Sequence, residues 1–331
     1  MRAIVIGGGI AGSSTTLLLR REGVEVTLID PLRPRVNTNL IHSILLKGRD
    51  VELARRTLEF YNSEGIRSRE FVSYTIGNVE EWMISDWTRV GVEARRVYVH
   101  WLGEEALMCR GGDRIVDVSR LLVKARPQRA KAKVEIRQGK PKVLINGYLE
   151  READAVILAA GAWNGYISPV RIPSKSYYCW AFLTLSRREA AEHIIYDYDL
   201  SFYSRPFIGP SLPMAIVGDG EAIESHPWSK PRVKDEELLL QRVKLRLGPV
   251  FPILKGGGFC EATPDMRPAF GQIAEGLYYI GGFNGYGAEV GPALAEMLVD
   301  FLVRGNEDRE YSISRFKRIE DFPLGKEPHE L

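Results

Sequence analysis

Apolar residues recur in two rhythms along this chain. AIVI at 3–6 is a short unbroken apolar run, the mark of a buried strand. IAGSSTTLLLRREG at 10–23 follows with helical spacing and ends on Gly23, a residue suited to a helix C-terminus. VEVTLID at 24–30 then alternates apolar with polar positions and closes on an acid. Together these residues predict one β-α-β unit. A second helix is expected at 50–64, with Asp50 as N-cap and Gly65 after its end.

Between 72 and 108 the alternation is that of antiparallel sheet, as in RRVYVHWL at 95–102. VDVSRLLVKA at 116–125 returns to a helical period. AKVEIRQ, PKVLING and EADAVILAAGAW at 152–163 predict a meander leading into a buried strand. Antiparallel strands are expected again over 170–220, then a helix near 234–247. LYYIGGFNGYGAEVGPAL at 277–294 begins as a strand and becomes a helix over about 288–303, through Gly281, Gly282, Gly285, Gly287 and Gly291.

Two sheet types visited alternately predict an α/β protein of two lobes, a Rossmann-like one that opens with the β-α-β unit, interleaved with an antiparallel β-sheet one. The expected division assigns 1–74, 113–168 and 256–331 to the first, and 75–112 and 169–255 to the second. A chain of 331 residues is long enough for two such lobes.

Composition narrows the function classes. The formal net charge of +2 is too mild to argue for nucleic acid. The basic stretch 124–142 has eight Lys/Arg against one acid, Glu135, and no aromatic residue to stack a base, so it reads as a solvated hairpin edge. Cys109, Cys179 and Cys260 lie far apart without a CxxC, which argues against a disulfide framework and a metal site. No signal peptide or membrane-spanning run is visible, and a reducing cytoplasm is the expected compartment. Scarce glutamine beside plentiful charge suggests a thermophile.

GGGIAG sets Gly7, Gly9 and Gly12 at G-x-G-x-x-G spacing between a predicted strand and helix, with Asp30 at the end of the next strand. Each part has a mechanical reason: Gly7 for the tight turn, Gly9 for approach to a pyrophosphate, Gly12 for helix-on-strand packing. The helix N-terminus offers unpaired N–H groups to the phosphates, and Asp30 suits a ribose diol. The motif alone does not separate NAD from FAD.

IVIGGGIAGSSTTLLLRREGVEVTLID (4–30), DAVILAAGAW (154–163), TPDMRPAFG (263–271) and YYIGGFNGYGAEVGPALAEMLVDFL (278–302) together resemble the D-amino acid oxidase-like superfamily of FAD-dependent oxidoreductases, which includes glycine and sarcosine oxidases. The resemblance implies FAD as cofactor, with its pyrophosphate over Gly7, Gly9, Ile10, Ala11 and Gly12 and its adenosine by Asp30. It places Asn37, Thr38 and His42 of NTNLIHS along the flavin, with Ala160, Gly161 and Trp163 of LAAGAW. It also places Gly282, Asn284, Gly285, Tyr286 and Gly287 there, with the last helix aimed at the pyrimidine ring. The implied reaction oxidises the C–N bond of an amine or amino-acid-like substrate, with oxygen or a dye- or quinone-type molecule as electron acceptor.

This chain departs from the family where a substrate carboxylate is held. Glu289 stands at a position expected to be basic, and Cys260 stands where glycine oxidase-like members carry arginine. Arg205 and Arg267 are the arginines that could take over, and Glu289 could instead pair with a cationic amine. Glu289, Arg205 and Tyr286 are therefore the expected substrate-side residues, and no histidine is assigned as a base. Two other readings stay open: a flavin-bearing subunit of a larger dehydrogenase, or a non-catalytic dinucleotide-binding redox sensor. A homo-oligomer is equally compatible.

Overall fold

A computed structural model describes the chain except residues 33–37, 42–45, 47, 78, 80, 210–211, 318–320 and 325–331, and the side chains of 38–40 and 82–83. Its centre is a six-stranded sheet in the order Ala269–Ala274, Leu277–Gly281, Ala155–Leu158, Arg2–Ile6, Glu25–Asp30, Gln128–Arg129. All neighbours in it run parallel except the first pair. The predicted β-α-β unit is present, its helix spanning Ile10–Arg21.

Both faces of this sheet are covered, which is why its strands read as continuous apolar runs. Ala3, Val5, Ala155 and Ile157 point into a core shared with Leu19 of the first helix and Val290, Ala293, Leu294 and Leu298 of the last, Gly287–Arg304. Ile4, Ile6, Val156 and Leu158 point the other way, onto Val134, Val143 and Ile145 of a three-stranded meander. The basic stretch forms part of that meander. Arg137 pairs with Glu135 and Glu150, and Lys142 pairs with Glu150 and Glu152, so part of its charge is answered locally.

A nine-stranded sheet forms the second layer, antiparallel except where Ser73–Ile76 runs parallel to Ile194–Asp197. One face turns Leu107, Cys109, Ile194 and Tyr196 toward the dinucleotide-fold core. The other buries Ile76, Trp180, Phe182, Ile195, Phe202 and Val217 against Leu239, Val243 and Leu247 of the helix Glu236–Leu247. The strand Phe251–Ala262 runs along Lys175–Leu185, and residue 256, where a change of lobe was expected, falls inside it.

Three local readings need correction. Residues 81–89, expected as sheet, form a helix, Glu81–Arg89. The segment 116–125, expected as one helix, begins in the strand Arg114–Asp117 and becomes helical only over Ser119–Ala125. Tertiary pairing wins there, because Ile115 and Val116 are claimed by strands on both sides. Asp50 does not cap the second helix, Arg49–Ser63, whose N-cap is Gly48. Its carboxylate accepts instead from Arg267 and from the Tyr311 hydroxyl. Among the described residues, no helix is long and apolar enough to cross a membrane.

Candidate active site

Each glycine of the first turn answers a different constraint. Gly7 has φ +107° and a Cβ there would overlap the Ala159 carbonyl; a Cβ on Gly12 would overlap the Gly7 carbonyl. Gly9 is the helix N-cap, and a Cβ on it would meet no protein atom within 4 Å. The first helical hydrogen bond runs from the Ser13 N–H to the Gly9 carbonyl at 2.9 Å, so the N–H groups of Ile10, Ala11 and Gly12 have no intrahelical acceptor. An open, positively polarised helix end with room above Gly9 suits a pyrophosphate.

Asp30 braces this turn from below. Its Oδ2 accepts from the Gly8 N–H at 2.6 Å and its Oδ1 from the Leu32 N–H at 2.6 Å. Both hydrogen bonds fix the carboxylate at the end of its strand, beside the glycine turn.

The second segment begins where the strand Ala155–Leu158 ends. A tight turn covers Gly161–Trp163, with Gly161 at φ +54° and open space where its side chain would be. Asn164 Oδ1 pins the turn by accepting the Ala160 N–H at 2.7 Å, and Trp163 packs edge-on to Phe259 at 6.0 Å.

The late glycines are shaped largely by protein. A Cβ on Gly281 would overlap the carboxylate of Glu261, and one on Gly282 would overlap Thr263. A Cβ on Gly287 would press on Phe283 at 3.3 Å. Gly282 and Gly285 have φ +70° and +90°, and Asn284 adopts φ +43° while fully buried. Asn284 Oδ1 accepts from the Tyr177 hydroxyl at 2.8 Å, whereas its Nδ2 has no partner among the described residues. A buried donor left over at this turn fits a cofactor oxygen or ring nitrogen. Tyr286, buried, caps the last helix.

One residue ties these segments together, and the sequence reading did not single it out. Glu261 Oε2 accepts from the Gly282 N–H at 3.0 Å and from Asn164 Nδ2 at 3.0 Å, while Oε1 accepts from the Ser174 hydroxyl at 2.8 Å. Burial pushes this carboxyl up to about 7, held from going higher by those hydrogen bonds. No cation pairs with it among the described residues. The only sign in the sequence was an acid shortly after three consecutive glycines, next to the last residue of the strand Phe251–Ala262.

The substrate-side residues are divided by their surroundings. Glu289 lies fully buried in the first turn of the last helix, where an acid is favoured by the helix dipole. Its charge helps raise the Tyr61, Tyr196 and Tyr286 hydroxyls above their ordinary range, although burial is the larger cause for each. Arg267 is committed elsewhere, to Asp50, Glu310 and Tyr311.

Arg205 sits in the strand Phe202–Pro206, two residues from Tyr203 and hence on the same face. Tyr203 stands opposite Tyr196, whose hydroxyl donates to Asp113 at 3.0 Å, so this face looks toward the dinucleotide fold. Burial lowers the Arg205 pKa, opposed only by Tyr203 and Tyr196, and no carboxylate pairs with it among the described residues. Cys260 lies opposite Tyr177 across the sheet, and all three cysteines are free thiols. Asn37 and His42 lie outside the described residues. Thr38 begins the strand Thr38–Ile41, with its side chain likewise outside them.

The open space at Gly9 and Gly161, the uncapped helix end and the buried Asn284 donor fit a bound FAD. Comparison with known proteins agrees. The family model described as DAO, FAD dependent oxidoreductase, matches residues 2–301. L-proline dehydrogenase from P. horikoshii superposes with a TM-score of 0.81 at 19% identity, covering 96% of this chain and 97% of that one. Glycine oxidase from Geobacillus kaustophilus gives 0.72 at 15%, covering 95% and 99%, and NikD, an unusual amino acid oxidase, gives 0.76 at 15%, covering 95% and 96%. Among curated proteins none matches the sequence significantly. A family model spanning nearly the whole chain, on a fold built for it, identifies this protein as a member of the DAO family of FAD-dependent oxidoreductases.

Proposed function

We propose that this enzyme oxidises the C–N bond of an amino-acid-like amine whose carboxylate is held by Arg205. FAD supplies the two-electron acceptor when bound, and water completes the reaction by hydrolysing the imine product. In this reading the pyrophosphate lies on Gly7–Gly12, with Asp30 toward the ribose. The isoalloxazine lies between the 160–163 turn and the 282–287 turn, with Asn37, Thr38 and His42 as further contacts. Glu289 and Tyr286 then border the reacting end.

The observation that carries the substrate reading is the uncompensated guanidinium of Arg205. A half-buried arginine without an acid is expensive, and the planar fork suits two carboxylate oxygens. The resemblance to L-proline dehydrogenase, glycine oxidase and NikD supports amino acids as the class to test first. Holoprotein mixed anaerobically with proline, sarcosine, glycine and D-amino acids should lose its flavin absorption with at least one of them. The matching amine without the carboxylate should bleach it far more slowly, and equal bleaching by both would sink the Arg205 assignment.

A second reading, a flavin-bearing subunit of a larger dehydrogenase, is favoured by one surface. Phe251, Ile253 and Leu254 are 64%, 52% and 63% exposed on an edge strand, an arrangement that single soluble chains usually avoid. Dye-linked turnover by the isolated monomer would count against it.

A further inference from the structure

Glu261 has a property beyond bracing the turns. Its two oxygens face different kinds of donor. Oε2 meets the Gly282 N–H and the Asn164 amide, donors that cannot reverse. Oε1 meets the Ser174 hydroxyl, which can rotate from donor to acceptor. A proton placed on Oε1 therefore leaves both links to the turns intact.

The groups facing Glu261 do not compete for that proton. Tyr279, on the strand Leu277–Gly281, is fully buried and its hydroxyl is held well above its ordinary value, so it stays neutral. Arg315, which acts on Tyr279, is paired with Asp265 at 2.8 Å. Asn164, Ser174 and the Gly282 amide carry no charge. A buried carboxylate without a counter-cation responds strongly to any new negative charge nearby.

We propose that Glu261 is the proton-uptake site that balances the charge FAD gains on reduction. Two electrons and one proton convert FAD to the anionic reduced flavin. The added negative charge then draws a second proton from solvent, onto Glu261 Oε1, converting carboxylate to carboxylic acid. Each two-electron reduction thus binds up to two protons: one on the flavin and one on the protein. The direction follows from Coulomb's law, since a nearby anion always favours the neutral acid. The inference rests on the flavin placement given above, against the turns that Glu261 joins.

The test is the midpoint potential of the holoprotein flavin as a function of pH. For a two-electron couple the slope is about 30 mV per pH unit with one proton and about 60 mV with two. The wild-type protein should follow the steeper slope just above pH 7, and Glu261→Gln the shallower one over that same range. Glutamine keeps the shape of the neutral acid, with its oxygen toward Gly282 and Asn164. Coincident slopes in the two proteins would overturn the proposal. Should the glutamine variant fail to fold, Ser174→Ala removes one donor that favours the ionised form. The steep segment should then move to higher pH, and an unmoved one overturns the proposal equally. The visible flavin band of Trp163→Phe reports the placement separately. A shifted band with coincident slopes refutes proton uptake alone, whereas an unchanged band with coincident slopes refutes the placement as well.

Discussion

The carboxylate of Glu261 occupies the space in which Gly281 would carry a side chain, so the two residues are sterically exclusive of anything larger. Glycine is required here by a neighbouring side chain, without need of a positive φ. Gly281→Ala should expel the carboxylate from its hydrogen bonds and cost about 1–3 kcal/mol, with FAD loss on gel filtration. Gly165→Ala, whose new methyl meets nothing within 4 Å in the short helix Asn164–Ile167, should be neutral or slightly stabilising. Thermal melts of the two variants check the contrast.

Glu261 also makes stability depend on pH, in a direction opposite to most carboxylates. Its folded value of about 7 lies above the ordinary 4.5, so the native state binds the proton more tightly than the unfolded chain. The associated stability is present below about pH 4.5 and lost as pH rises toward 7. Glutamine does not titrate. FAD-free Glu261→Gln should therefore match wild type near pH 4.5 and exceed it at pH 8 by up to about 3 kcal/mol. Denaturant melts across this range check it.

Gly9 offers the cleanest separation of cofactor binding from folding. Gly9→Val places its side chain in open space, so the fold should survive while the pyrophosphate is blocked. The expected result is an FAD affinity at least about tenfold weaker with an unchanged circular dichroism spectrum. Quenching of FAD fluorescence on titration into apoprotein measures it.

Arg205→Met should raise KM for carboxylate-bearing substrates by about 100-fold, the loss expected when a charge-assisted fork is removed. The flavin spectrum should not change. Arg205→Lys should recover only part of the affinity, because a point charge lacks the planar fork. Stopped-flow reduction at several substrate concentrations distinguishes the three proteins.

What the sequence disclosed follows the range of the interactions involved. The first turn was legible because strand, glycines, helix and acid lie within thirty residues, and each glycine has a local reason. Helices such as Glu236–Leu247 were legible from periodicity alone. Glu261 was not, because its side-chain partners stand 97 and 87 residues away, at Asn164 and Ser174. The crowding at Gly281 and Gly282 was likewise invisible, and the glycines alone suggested only that something comes close. Arg205 could be named as a candidate, but only the sheet register puts it on the face with Tyr196 and Tyr203. Arg267 looked equally suitable until Asp50 and Glu310 were found to hold it.

The six-stranded sheet carries a consequence for how the protein is made. Its central strand, Arg2–Ile6, is synthesised well before the strand it pairs with, Ala155–Leu158, which in turn pairs with Leu277–Gly281. The last helix, Gly287–Arg304, seals the layer, with Gly291 near Ile10 of the first. A growing chain therefore carries an unfinished sheet, with its apolar strands uncovered, until Leu277–Gly281 and the helix Gly287–Arg304 have emerged. Such long-range closure is slow and exposes sticky intermediates. On the proposed placement, with the pyrophosphate at the first turn and the isoalloxazine at 282–287, FAD would find its full site only after the helix Gly287–Arg304 has joined the sheet.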